Sequence, residues 1–461
     1  MAHPAPRRWY PITFTVAALV LLPLSVLLLS WLEIDREIWS HLWDTQLPRL
    51  LGNTLTLVLG VGVGVTLLGV SLAWLTSLCE FPGRRWLDWA LMLPFAIPAY
   101  VLAFVFVGLL DFAGPVQSLL REWFGSGLRL PRVRSTGGVI LVLVLVFYPY
   151  VYLLARSAFI AQGKGLMEAA RVLGLSPWQA FLRVALPRGA PLYRLRGARA
   201  LAASAWCGLV FLCAFVIPVA QLAVWFWRQG RFDLDERYWD LIGHTLALGA
   251  GAALATVAMA LLLAFAVRLA PTRGIRGAVG LGNLGYALPG SVLAVSIMLA
   301  FSWLDNHWVI PLSTVLGGAG KPLLLGSLFA LLLAYLIRFM AVAYGPLESG
   351  LARIRPSLPE ASRSLGVGGP LLFLRVYLPL LLPASLSAAL LVFVDVLKEM
   401  PATLLMRPFG WDTLAVRIFE MTSEGEWARA SLPALTLVLV GLLPVVGLIR
   451  RSAHHSDRRA Q

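Results

Sequence analysis

Charge is scarce in this sequence. Of 461 residues only 13% are Asp, Glu, Lys or Arg, against 59% hydrophobic residues, and the mean hydropathy is +0.80. A soluble domain with one core has no use for so many long uncharged runs. Strict alternation of apolar and polar residues is also missing, which excludes a membrane β-barrel. Cysteine is nearly absent. Cys79, Cys207 and Cys213 follow no metal spacing and make no disulfide framework, and they read as packing residues. Histidine is sparse: His41, His244 and His307 are scattered, the His454-His455 pair sits in a polar tail, and none has ligand spacing. No His/Glu metal pattern and no Ser/His or Asp pair stands at helical spacing, so intramembrane catalysis has no candidate group. A phosphate loop is missing too. Gly317 to Lys321 imitates one faintly, but Val315 occupies the first glycine's place and Pro322 that of the Ser/Thr. The chain therefore carries no ATP site of its own.

Acidic residues are outnumbered, 23 to 38, for a net charge of +15. Nucleic-acid binding would need a basic face with stacking aromatics on a soluble fold, which this sequence does not offer. The excess instead reads as the positive-inside signal of a membrane protein. What is abundant is apolar sequence in runs near or above the ~20 residues that cross a bilayer as a helix. Ten spans are expected, at about 10–32, 50–78, 87–110, 139–155, 198–227, 241–267, 279–303, 323–344, 380–405 and 431–449. The first follows Arg7-Arg8, is too long for a signal peptide's apolar core and has no small-residue cleavage site, so it reads as a span. Ten spans with both termini inside place the arginine turns at 84–85 and 268–276, two polar islands at 161–191 and 346–379, and the basic tail in the cytoplasm. The 17 tryptophans gather largely near span ends, as interface anchors do.

The two islands repeat one another at a constant offset of 192 residues. Glu168-Ala169-Ala170-Arg-Val-Leu-Gly174, closing at Leu186-Pro187, answers Glu360-Ala361-Ser-Arg-Ser-Leu-Gly366, closing at Leu378-Pro379; 11 of 20 positions are identical. The repeat is wider: Asn53-Thr-Leu answers His244-Thr-Leu, and Pro98 answers Pro289, at offset 191. The chain thus divides into repeats 1–191 and 192–461. Between Pro379 and Arg450 lie two spans, whereas only about ten residues separate Pro187 from the fifth span. The first repeat lacks the last helical pair that the second keeps. In the second island, Ser357-Leu-Pro-Glu360 predicts a capping box opening a short helix, small residues at 361 and 362 allow close approach of a partner, and Gly366 ends the helix.

Charge reappears inside the ninth span. Asp395, Lys398 and Glu399 precede Pro401 and Thr403. An ionisable residue at bilayer depth costs roughly 2.5–3.5 kcal/mol on insertion scales. Asp395 and Lys398 are spaced i,i+3 and can pair on one helix face. Glu399, four residues from Asp395, is expected on much the same face and leaves one excess negative charge. Such a cluster belongs in a bundle interior or a water-filled path, where it lines a gate or orients helices.

The islands resemble the "EAA" coupling segment of ATP-binding-cassette importer permeases: Glu168, Ala169, Ala170, Gly174 and Leu186-Pro187 match it in full, and the second copy departs at Ser362. Asp395 to Pro408, with Lys-Glu-Met-Pro-Ala-Thr before Arg407-Pro408, resembles the second half of fused iron(III) permeases, and Asp412-Thr-Leu-Ala-Val, Glu420 and Leu432-Pro-Ala extend the likeness. The resemblance implies an all-α polytopic protein of the type I ABC importer permease fold (MetI-like), two tandem repeats in one chain, in a bacterial inner membrane. It implies no directly bound cofactor, ATP use by a separate partner subunit in two copies, a periplasmic substrate-binding protein, surrounding lipid and no nucleic acid. Glu168, Ala169, Ala170, Gly174, Glu360, Ala361 and Gly366 would meet the ATPase. Asp395, Lys398, Glu399, Pro401 and Thr403 would line the pathway. Only residues 395–408 favour iron; the coupling segments suit sulfate, molybdate, thiamine or polyamine permeases equally, and a relative that assembles without conducting is the other reading.

Overall fold

The computed structural model describes residues 9–29, 32, 35–125, 132–161, 193–317 and 320–457. Among these the chain is helical throughout, apart from one parallel two-residue pairing of β1 (Cys79–Glu80) with β2 (Tyr193–Arg194). The first part holds α1 (Trp9–Leu29), α2 (Arg36–Thr45), α3 (Leu47–Leu78), α4 (Arg84–Ala90), α5 (Ala99–Leu110), α6 (Pro115–Phe124) and α7 (Thr136–Ala161). Then follow α8 (Ala198–Arg228), α9 (Glu236–Leu269), α10 (Arg273–Gly282), α11 (Gly290–Val315) and α12 (Leu328–Ala352). The last are α13 (Ser357–Ser364), α14 (Phe373–Leu397), α15 (Pro401–Met406), α16 (Leu414–Ser423) and α17 (Ser431–Asp457). Nine described helical segments are long and apolar enough to cross a membrane, with α5 and α6 counted together as Ala99–Phe124; the described apolar part of α17, Ser431–Gly447, is shorter.

Two expected spans are broken. In place of one helix over 87–110, α4 and α5 are separated by a 3-10 turn at Leu93–Ala96; in place of one over 279–303, α10 and α11 are separated by the matching turn at Leu284–Ala287. The cause is Pro98 and Pro289. Each forces the residue before it out of the helical region, Ile97 to φ −87° ψ 123° and Leu288 to φ −82° ψ 137°. A polar group at such a break needs a partner where water is scarce. Tyr148 donates to the Leu91 carbonyl at 2.9 Å, and Arg338 donates to the Leu288 carbonyl at 3.0 Å.

The compact units interleave the two sequence repeats. One unit comprises Arg36–Asp233 with Glu420–Gln461. Here α3 and α7 pack closely because Gly60 and Gly64, four apart, face Ile140 and Val144, also four apart. A Cβ on Gly64 would come within 2.5 Å of Val144 Cγ2, so small residues set this approach. Gly64→Leu is expected to lower the midpoint of thermal unfolding in detergent, at a cost of about 1–3 kcal/mol for overpacking. Leu59→Ala, on the exposed side of the same helix, serves as the control and should leave the midpoint in place. The C-terminal end of α7 is tied by Arg156, which bonds both oxygens of Asp88 at 2.6 Å, with Tyr152 donating to the same carboxylate. Cys79 is buried at the foot of α3, and burial pushes its thiol up to about 12. On the opposite loop, Arg429 bonds Asp233 at 2.7 Å and Glu426 at 2.8 Å, and the Asp233 hydrogen bond holds its guanidinium pKa above the usual value.

The other unit comprises Met1–Asp35 with Leu234–Phe419. Its core is α9, α12 and α14, packed through Leu263, Leu331, Ile337, Leu347, Leu381 and Val392. Helix α1 joins it through buried Val16 and Val20 and a bond from Tyr10 Oη to Thr272 Oγ1 at 3.0 Å. A carboxylate that the sequence did not single out, Asp305, is 1% exposed and accepts from the amides of Leu323, Leu324 and Leu325, which fixes the chain between α11 and α12. The stretch after residue 406, expected as loop, contains α16. Its Leu414, Ala415, Val416, Ile418 and Met421 are all buried, a helical spacing that the flanking polar residues conceal.

Candidate functional site

The charged cluster is built where α14 ends. Pro401 has no amide hydrogen to give to the Leu397 carbonyl, so α14 stops at Leu397 with Lys398 as its cap, and α15 starts with Pro401 at its first position. Glu399 therefore does not share the Asp395 face, as the i,i+4 spacing predicted. It lies in the turn between two helices and is 5% exposed. Its carboxylate pairs with Arg338 of α12, Nε to Oε2 3.0 Å, and accepts from the Ala402 amide at 3.1 Å. Arg338 is the residue that sequence reasoning missed. It supplies the cation the cluster lacked, so Asp395 and Glu399 are balanced by Lys398 and Arg338, both close enough to Asp395 to bear on its charge. The signal was available: Arg338 is a lone charge inside an apolar run, the same criterion that singled out Asp395.

Three further contacts fix this arrangement. Gly290, the first residue of α11, lies so close that a Cβ there would come within 2.3 Å of Glu399 Oε1 and 2.9 Å of Arg338 Nη1. The positive end of α11 thus faces the carboxylate. Thr403 is fully buried, bonds the Glu399 carbonyl and shares a 2.6 Å bond with Tyr335 Oη of α12. Beyond α15, Arg407 pairs with Asp412 at 2.6 Å, Trp411 stacks on His244 with centroids 4.5 Å apart, and the Leu414 amide bonds Thr245 Oγ1 at 2.9 Å. The His244-Thr245 motif of the repeat is thereby the seat of the 411–414 strand of chain. Asp395, Lys398 and Pro401 are half-buried around the Glu399–Arg338 pair. The structure brings all five pathway candidates to one place.

The second coupling segment forms a short exposed helix. Glu360, Ala361 and Arg363 of α13 are exposed, as are Leu358 and Leu365, while Pro359 is buried beneath them. The capping box is not made. Pro356 is already helical at φ −55° ψ −30°, so the helix starts one residue early and the Glu360 amide bonds the Pro356 carbonyl instead of the Ser357 hydroxyl. The other end closes as a Schellman turn: the Gly366 amide bonds the Arg363 carbonyl, the Val367 amide bonds the Ser362 carbonyl, and Gly366 has φ +80°. The Arg268 guanidinium holds the base of this segment through the Ile354 carbonyl at 2.7 Å, and Phe265 packs edge-on against Phe373 and Tyr377 of α14. Helix α14 then runs unbroken from this end to the charged cluster. The first coupling segment, with Glu168, Ala169, Ala170 and Gly174, lies outside the described residues.

This fold and site define a polytopic membrane permease in which a short exposed helix precedes a long one that ends beside a buried ion-pair cluster. Residues 65–273 match the family described as binding-protein-dependent transport system inner membrane component. The chain is 30% identical over 207 residues to the putative 2-aminoethylphosphonate transport system permease protein PhnV of Salmonella typhimurium, covering 44% of this chain and 70% of that protein. It is 23% identical over 472 aligned positions to the Fe(3+)-transport system permease protein FbpB 2 of Haemophilus influenzae, covering 88% of this chain and 90% of that one. It is also 34% identical over 171 residues to the sulfate transport system permease protein CysW of Escherichia coli, covering 36% and 54%. The chain belongs to the binding-protein-dependent inner membrane permease family, whose members are transport subunits of ATP-binding-cassette importers.

Proposed function

We propose that this chain is the permease of an iron(III) importer, receiving its substrate from a periplasmic binding protein and driven by two copies of a separate cytoplasmic ATPase. The observation that carries the reading is the α13–α14 arm: an exposed short helix, a hydrogen-bonded Gly366 turn and a long helix ending at Leu397, next to Glu399 and its partner Arg338 of α12. The ATPases would engage Glu360, Ala361 and Gly366 here and Glu168, Ala169, Ala170 and Gly174 in the first repeat. Closure of the ATPases would displace α13 as a rigid body, and α14 would carry that displacement to the cluster. Asp395, Lys398, Glu399, Pro401 and Thr403 would then change between a closed and an open arrangement. Both termini would lie in the cytoplasm, and ATP would be bound by the partner and not by this chain. Iron is favoured by the relative that aligns over most of both chains, and by the Asp395–Pro408 stretch being the part that forms the cluster.

Uptake into proteoliposomes containing the permease, its ATPase and its binding protein tests this. Labelled iron(III) is expected to accumulate with ATP, and labelled sulfate, 2-aminoethylphosphonate, thiamine and spermidine are not. Accumulation of one of those in place of iron overturns the substrate. Retention of the binding protein and ATPase without accumulation of any of them overturns transport itself.

A further inference from the structure

The two repeats place the same three helices around a groove, but among the described residues only one groove is filled by the chain. In the unit containing residues 234–419, α9, α11 and α12 hold α15 and the chain that follows it. His244 and Thr245 bind residues 411 and 414, Gly290 receives Glu399, and Tyr335 bonds Thr403. What remains open there is a cavity of about 100 Å³, lined by Met298, Leu325, Gly326 and Ala330 together with Leu405 and Met406. In the unit containing residues 36–233, the counterparts at offsets 191 and 192 of His244, Gly290, Met298, Leu325, Gly326, Ala330 and Tyr335 are Asn53, Ala99, Val107, Val133, Arg134, Gly138 and Leu143. All of them line a single cavity of about 760 Å³ between α3, α5 and α7. Among the described residues no α15 counterpart enters it, and the sequence leaves only about ten residues between Pro187 and α8.

The lining says what this groove takes. Ala99 stands where Gly290 stands, and a Cβ at Gly290 would collide with a carboxylate seated as Glu399 is. Val146 stands where Arg338 stands, so the cation that neutralises such a carboxylate is gone as well. The floor is apolar: Leu57, Ala103, Val107, Val139, Val142 and Leu143. A copy of the second repeat's own charged turn does not fit; an uncharged hydrocarbon chain does. The rim is different. Arg134 is exposed beside the first turn of α7, 5.8 Å from the ring centroid of Trp427, and among the described residues no carboxylate pairs with it. Ser135 and Thr136 stand next to it at the helix N-terminus, where backbone dipoles favour an anion. An apolar floor ending at a cation and a helix N-terminus is complementary to a phosphate carrying an acyl chain.

We propose that one phospholipid occupies this groove, its acyl chain lying where α15 lies in the other repeat and its phosphate on Arg134. The lipid completes the helix packing that the first repeat lacks.

The test uses the full chain, purified in detergent, exchanged into phosphatidylglycerol-containing micelles and read by native mass spectrometry. The chain is expected to retain one phosphatidylglycerol molecule. Ala103→Trp, which fills the floor, should abolish retention. Arg134→Gln, an exposed substitution that leaves the floor intact, should lower it about fivefold, the weight of one arginine near a lipid phosphate. Diacylglycerol, with the chains but no phosphate, should be retained no better by the parent chain than by Arg134→Gln, and glycerophosphoglycerol, with the phosphate but no chains, should not be retained. Retention indifferent to both substitutions overturns the proposal. So does equal retention of diacylglycerol, or retention of the soluble phosphate alone. Cysteine placed at Leu57 should cross-link to a lipid carrying a thiol-reactive acyl chain; a stoichiometric polypeptide cross-linked there instead overturns the lipid in favour of a helix supplied by another protein. None of these readouts needs substrate or ATPase, so failure here leaves the transport reading untouched, and the reverse.

Discussion

Glu399→Ala is expected to destabilise the permease by about 3–5 kcal/mol, the range for removing one partner of a buried ion pair and leaving the other charged and uncompensated. Arg338 would lose the carboxylate at 3.0 Å while still bonding the Leu288 carbonyl, and the α15 amide at Ala402 would lose its acceptor. The measurement is thermal unfolding of the purified chain in detergent. A second variant gives the result its meaning. Arg338→Met with Glu399→Leu removes both charges and replaces them by apolar volume, and such replacements are often neutral for stability. If the pair works in the pathway, the double variant refolds the chain but does not restore iron uptake. If uptake returns with stability, the pair only orients helices and its pathway role is refuted. An Glu399→Ala chain as stable as the parent would contradict the burial and pairing on which both alternatives rest.

Gly366→Val is expected to cut ATP-driven uptake at least tenfold while leaving the membrane helices folded. Gly366 has φ +80°, and no atom outside its own turn lies within 4 Å of where a Cβ would sit. The penalty is therefore conformational and not a clash: about 1–2 kcal/mol for a left-handed residue with a Cβ, more for a β-branched one. The Schellman turn would open, and α13 would no longer hold a fixed angle to α14. Gly366→Asn separates this account from a general sensitivity of the segment, because asparagine visits the left-handed region readily. Asparagine should keep most of the uptake and of the ATPase stimulation by loaded binding protein. Equal loss with Asn and Val would refute the turn as the cause, and unaltered coupling in both would remove α13 from the coupling role.

The long helices were legible because bilayer depth demands length and apolar composition, and little competes with that demand. The breaks were not. Pro94, Pro98 and Pro289 were visible, but a membrane helix can keep a proline if a neighbour takes the freed carbonyl, and the neighbour here is a side chain on a helix about 50 residues away, Arg338 for Leu288 and Tyr148 for Leu91. The charged cluster was legible from Asp395, Lys398 and Glu399 because charge in an apolar run is conspicuous. Its geometry was not, since helical spacing assumes one helix and Pro401 ends it. Helix α16 was hidden for the opposite reason: its polar residues made it read as loop, although Leu414, Ala415, Ile418 and Met421 already carry a buried stripe. The capping box failed one residue upstream, where Pro356 took the boundary before Ser357 could.

Arg338 has two attachments beside different helices. One guanidinium holds the broken helix at Leu288 and the carboxylate at Glu399. If Glu399 leaves, both charges of the pair lose their partner while the Leu288 carbonyl keeps its donor. Displacement of α14 therefore strains only the Glu399 contact, and the Leu288 contact stays behind as an anchor between α12 and the turn before α11. The junction is thus one-sided: one arm of the guanidinium is a fixed post, and the other is the contact that a moving α14 would have to break and remake.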